Sequence, residues 1–115
     1  MAKSFREITR SLAPSLRTLR ADIPDTMKGF DAMAAGAMRD GALPEKTKEL
    51  IALALGVAAH CDACLGFHVK ALVMLGATRP EVEEALGVAV YMGGGPALMY
   101  AADALAAFEE FAAPT

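Results

Sequence analysis

Six prolines and ten glycines cut this sequence into stretches whose apolar residues recur at intervals of three and four, and that punctuation fits helices and little else. Residues near 4–20 give one or two amphipathic turns, with Phe5, Ile8 and Leu12 at helical spacing and an interruption at Pro14. Pro24 opens a second helix to about Arg39, where Met27, Phe30, Met33 and Met38 share a stripe, and Asp40-Gly41 ends it. Pro44 suits a first helical position, and the charge of Glu45 favours a helix start. That third helix runs to about Ala59; after a charged first turn and a half it is apolar all round, as if plunging into a core. A fourth helix spans from near Cys61 to Leu75 and closes on Gly76 at C′. Thr78-Arg79-Pro80-Glu81 reads as a capping box for a fifth. Gly93-Gly94-Gly95 stops it, and Pro96 starts a last helix through about Phe111, with Asp103, Glu109 and Glu110 in a narrow polar stripe. No stretch alternates with the two-residue period of a strand. The expected class is all-α, a compact bundle of about six helices.

Composition agrees with close-packed helices. Alanine occurs 25 times, against five Phe, two Tyr and no Trp. Alanine loses no side-chain entropy in a helix and is depleted from strands. A chain of 115 residues makes one domain, 1–115. Its net charge of −3 argues against a nucleic-acid or anionic-membrane surface, which needs a basic patch. Hydrophobic residues are 55% of the chain, more than so small a core can hide, so a homo-oligomer is expected. The seven methionines read as core filler and interface. Met1–Arg10 has no apolar stretch behind its charges, and the longest apolar run, Leu50–Ala59, is about half a bilayer span. The expectation is a cytoplasmic protein that crosses no membrane. There, two cysteines are redox-active, metal-binding or inert, and not a framework of the secreted kind.

The chemistry gathers in Cys61-Asp62-Ala63-Cys64-Leu65-Gly66-Phe67-His68. On a helix, Cys64 lies about 60° and His68 about 20° from Cys61, so all three share a face. A cysteine in a first helical turn feels the positive end of the dipole and the open amides, which favour thiolate. His68, one turn beyond Cys64, can take or return a proton near neutral pH. The i,i+3 spacing brings the sulfurs within bonding reach, so one thiol can resolve a sulfenic acid on the other. Glu49, twelve residues before Cys61, is the last charge before the apolar run, on a face that continues into Ala52, Leu53 and Gly56. A carboxylate leaning over an apolar face should hold its proton more readily than usual unless it is paired, which suits a proton shuttle. Zinc is the rival reading, with Cys61, Cys64, His68 and His60 or Glu49 as the only candidate ligands; a closed structural site wants four ligands, usually with a second metal-binding half. Buried structural cysteines are the plainer one.

Glu49 followed by Cys61-x-x-Cys64-x-x-x-His68 resembles the active-site signature of the alkyl hydroperoxidase D-like branch of the carboxymuconolactone decarboxylase family. The Gly-Gly-Gly-Pro stretch at 93–96 and the helix order are similar too, and the likeness covers a core of about residues 30–111. The resemblance implies a thiol-dependent hydroperoxide reductase without metal or flavin. Cys64 would attack the peroxide, Cys61 would resolve and receive electrons from a dithiol or thiol protein, and Glu49 and His68 would relay protons. It also implies three or six subunits. One departure is Ala63, where relatives with peroxidase activity can carry histidine; another feature, Asp62, opposes a thiolate beside it, with His60 on the other flank. Two alternatives stand beside this reading. One is a lactone-processing decarboxylase, whose founding members generally lack the cysteine pair; the other is a non-catalytic helical assembly module.

Overall fold

Helix α1 (Phe5–Asp22) begins where the Ser4 hydroxyl accepts a hydrogen bond from the Glu7 amide. The structure, a computed structural model, describes residues 3–114; Met1, among the methionines read as filler, lies outside them. The interruption expected at Pro14 does not occur, and α1 runs through it. Pro14 sits on the exposed side, where solvent can satisfy the carbonyl left without a helical donor. Helix α2 (Pro24–Met38) starts on its proline and buries no residue at all. Phe30 and Met33, on the apolar stripe of this helix, are exposed.

Helix α3 (Glu45–Ala58) takes Pro44 as its cap and not as its first residue. The missing side-chain cap is supplied from outside the helix, by Asp40 Oδ1 accepting from the Glu45 amide at 2.6 Å. Its apolar part is not buried all round as expected. Leu53, Gly56 and Val57 face the core, whereas Ile51 and Leu55 stay exposed along a groove against α2. The reason is geometric: α4 and α5 cover one side of α3, and the projecting α2 covers little of the other. Helix α4 (Asp62–Met74) buries Leu65, Gly66, Val69 and Leu72. Gly66 faces α1 so closely that a Cβ there would stand 2.7 Å from Thr9 Cγ2. As expected, α4 closes on Gly76 (φ 78°), with Gly76 N donating to Val73 O and Ala77 N to Leu72 O.

Thr78 and Glu81 form the expected capping box for α5 (Arg79–Ala112), and Glu81 also pairs with Lys46 at 2.8 Å. That lysine, followed by the Thr78 amide, holds the Glu81 carboxyl below its usual range. The last two expected helices run on as one element, broken at Gly94, whose φ of 72° and ψ of −153° glycine alone adopts readily. By length and composition α5 could cross a membrane; in this fold it is kinked and packs on α3 and α4. Its C-terminal half turns Ala97, Ala101, Ala104, Ala107 and Phe108 inward, leaving Leu98 half out. Small side chains on that face let the helix lie close to its neighbours. The described residues contain five helices and no strand.

Glu110 ties the ends of the chain together. Its carboxylate accepts from Ser4 Oγ (2.7 Å), Phe5 N (2.7 Å) and Arg6 N (3.3 Å), at the positive end of α1. Burial alone would raise this carboxyl, but the Ser4 hydroxyl, the two amides and the Arg6 guanidinium outweigh it and hold it below the usual range. A depressed folded-state value means stability that is present above the ordinary carboxyl range and is lost as pH falls through the folded value. Glu110→Gln is therefore expected to cost about 1–2 kcal/mol at neutral pH, a value moderated by partial exposure. In urea titrations the difference from wild type should shrink as pH falls below the ordinary carboxyl range.

Candidate active site

The turn from α3 to α4 builds the site. His60 N donates to Val57 O and Cys61 N to Gly56 O, both at 3.1 Å, which closes α3 in a Schellman turn. That turn needs a left-handed residue at its C′ position, and here His60 takes it, with φ 55°. Its ring stacks on Tyr100 of α5, centroids 4.7 Å apart and planes within 6°. The stack anchors a conformation that a non-glycine residue adopts at a cost. The chain leaves the turn with Cys61 already in the N-cap of α4, its Sγ accepting the Cys64 amide at 3.2 Å.

Cys61 and Cys64 are joined as a disulfide, with Cα atoms 5.2 Å apart. Their residues are partly exposed. Gly56 sets how closely α3 approaches them: a Cβ at that position would lie 3.1 Å from Cys64 Cβ. The same face of α3, two turns earlier, carries Glu49, which is only 7% exposed although it is a carboxylic acid. Glu49 Oε2 lies 3.0 Å from His68 Nδ1, so the buried acid has its partner. The His68 side chain remains 33% exposed.

The structure thus brings the four candidate residues onto two facing helices as two pairs, Cys61 with Cys64 and Glu49 with His68. Among the described residues, no hydrogen bond links one pair to the other, and no three His, Cys, Asp or Glu side chains converge as a metal site. The sequence did not reveal a third group, at the Cys61 end. Lys3 Nζ lies 3.2 Å from Asp62 Oδ1, 2.9 Å from Asp103 Oδ2 and 5.5 Å from the centroid of Tyr100. Asp103 and then Asp62 hold the Lys3 ammonium above its ordinary pKa. Only Asp62 carried a signal, as the acid beside the cysteines.

Comparison with known proteins follows the same lines. The family model described as the carboxymuconolactone decarboxylase family matches residues 24–107. An uncharacterized protein of Cupriavidus necator is 44% identical over 86 residues, covering 75% of this chain and 76% of its own. A carboxymuconolactone decarboxylase family protein of Legionella pneumophila, solved in its apo form, is 56% identical with a TM-score of 0.94, over 95% of this chain and 97% of that one. A Thermotoga maritima protein of the same family, described as "possibly involved in antioxidative response", is 31% identical with a TM-score of 0.76, over 94% and 89%. Shared helix order, a matched family model over most of the length and closely superposing relatives make one conclusion: the chain belongs to the carboxymuconolactone decarboxylase family, within which its cysteine pair resembles the alkyl hydroperoxidase D-like branch.

Proposed function

We propose that this chain reduces hydroperoxides with Cys61 and Cys64 and is regenerated by an external dithiol or thiol protein. The observation that carries the reading is the buried Glu49 paired with His68, one helical turn from Cys64. A plain structural cysteine pair has no use for a buried acid held against an imidazole one turn away. The antioxidative role suggested for the Thermotoga maritima relative supports the same class.

In this reaction the Cys64 thiolate attacks the outer peroxide oxygen. The O–O bond breaks, Cys64 becomes a sulfenic acid, and the alkoxide takes a proton from His68 and leaves as the alcohol. An ionised Glu49 can only accept, so His68 Nδ1 donates to it and Nε2 is left to carry the proton. Cys61 then attacks the Cys64 sulfur, forming the disulfide and releasing water. A dithiol returns two electrons and two protons and is itself oxidised to a disulfide. Sulfur carries the electrons throughout, so the cycle uses no metal or flavin. The working form is a cytoplasmic homo-oligomer of three or six chains.

Steady-state consumption of cumene hydroperoxide with a panel of dithiols tests the reading. His68→Ala and Glu49→Gln are each expected to lower the rate about 10²-fold with both cysteines intact. Wild-type rates in both would return the pair to a packing role.

A further inference from the structure

We propose that Lys3 is a positioning residue that sets the redox potential of the Cys61–Cys64 couple by neutralising Asp62 at the start of α4. The inference rests on the reading of these cysteines as a cycling pair. Cys61 caps α4 with its own sulfur, so a thiolate there gains the Cys64 amide and the positive end of the helix. Asp62, the first residue of α4, brings a full negative charge to the same place and works against that thiolate. Lys3 answers it, with its ammonium 3.2 Å from Asp62 and 2.9 Å from Asp103.

The seat of that ammonium is built from three parts of the fold. Asp103 and Tyr100 come from α5, and Tyr100 stacks on His60, the residue that turns the chain into Cys61. The charged and titratable groups at this end are Lys3 from the segment before α1, His60 from the turn, Asp62, Tyr100 and Asp103. Glu49 and His68 meet beside Cys64, across the α3–α4 contact. Of these groups, Lys3 is the lysine placed against Asp62. Without it, Asp62 keeps its full negative charge at the residue next to Cys61, whose sulfur can become anionic on reduction.

The consequence has a definite sign. Reduction transfers two electrons and two protons from a dithiol to the pair, and whatever stabilises the thiolate favours the reduced form. Removing Lys3 should therefore favour the disulfide, and removing the Asp62 charge should favour the dithiol. A role confined to holding the N-terminal segment in place would not give opposite signs.

The experiment equilibrates the full chain in glutathione buffers at low ionic strength and counts trapped thiols by mass. Lys3→Met is expected to shift the equilibrium three- to tenfold toward disulfide, about 15 to 30 mV more negative at 29.6 mV per tenfold. Asp62→Asn should shift it a similar factor the other way. The double variant should return near wild type, Lys3→Arg should retain the wild-type value, and 1 M salt should shrink every shift. Unchanged potentials in both single variants, or shifts of the same sign, overturn the proposal. If Lys3→Met does not fold, Asp62→Asn decides alone: a raised potential supports the proposal and an unchanged one overturns it. A wild-type pair that never interconverts overturns both this and the cycling-pair reading, whereas a cycling pair blind to Lys3 and Asp62 overturns only this.

Discussion

Cys64→Ser protein is expected to consume no hydroperoxide above background, while Cys61→Ser protein forms one sulfenic acid at Cys64 and then stops. The asymmetry follows from the surroundings of the two sulfurs. Cys64 stands one turn before His68 and against Gly56, on the side where protons can be exchanged. Cys61 occupies the N-cap, where its sulfur already accepts the Cys64 amide. Both variants should keep the fold. Serine is a preferred N-cap residue, so Cys61→Ser preserves the start of α4, and Cys64→Ser places a smaller atom near Gly56. A sulfenic-acid trap read by mass spectrometry checks the assignment residue by residue. Wild-type protein treated with one equivalent of peroxide should lose two hydrogens and regain them in dithiothreitol. Label on Cys61 in Cys64→Ser protein, with none on Cys64 in the reciprocal variant, would exchange the two roles.

What the sequence disclosed of this site is what lies close along the chain. Helix caps are local, so Thr78-x-x-Glu81 and Gly76 announced themselves and stand where they were expected. The face shared by Cys64 and His68 is likewise a matter of four residues on one helix. The pairing of Glu49 with His68 is not local. It depends on the angle at which α3 meets α4, and that angle is set by a left-handed histidine that no periodicity marks. Lys3 with Asp103, a hundred positions apart, gave no signal at all. Burial was misread for a related reason. The all-apolar half of α3 reads as core, but periodicity shows only that a face seeks cover, not what covers it, and Ile51 and Leu55 stay exposed.

The uncovered apolar surface leads to the second large expected effect: in solution the chain should form a homo-oligomer of three or six copies, and breaking it should lower activity. Helix α2 buries nothing, Phe30 is 55% exposed, and Tyr91 and Met92 on α5 are 85% and 77% exposed. Soluble monomers rarely leave a whole helix without a buried residue and so many large apolar side chains wet. Between α2 and α3, Ala37, Met38, Ile51, Ala52 and Leu55 line a groove of about 220 Å³, with Lys48 its one charged residue. An obligate interface that covered these faces would bury about 2,000 Å² or more. The groove also reaches the chemistry: Ala52 is three residues after Glu49 on the same side of α3, so a neighbour closing the groove comes within one turn of the Glu49–His68 pair. Light scattering coupled to size exclusion should therefore give a mass three or six times 12.0 kDa. Placing one carboxylate in the groove and another on α2, as in Leu55→Glu with Met33→Glu, should shift the protein to smaller species, because an interface would have to desolvate both charges. Those species should turn over peroxide at least about tenfold more slowly, since His68, one-third exposed in the single chain, loses the cover that a neighbour closing the groove would give it. A folded 12.0 kDa wild-type species at micromolar concentration with full activity would refute the assembly and would confine the chemistry to a single chain.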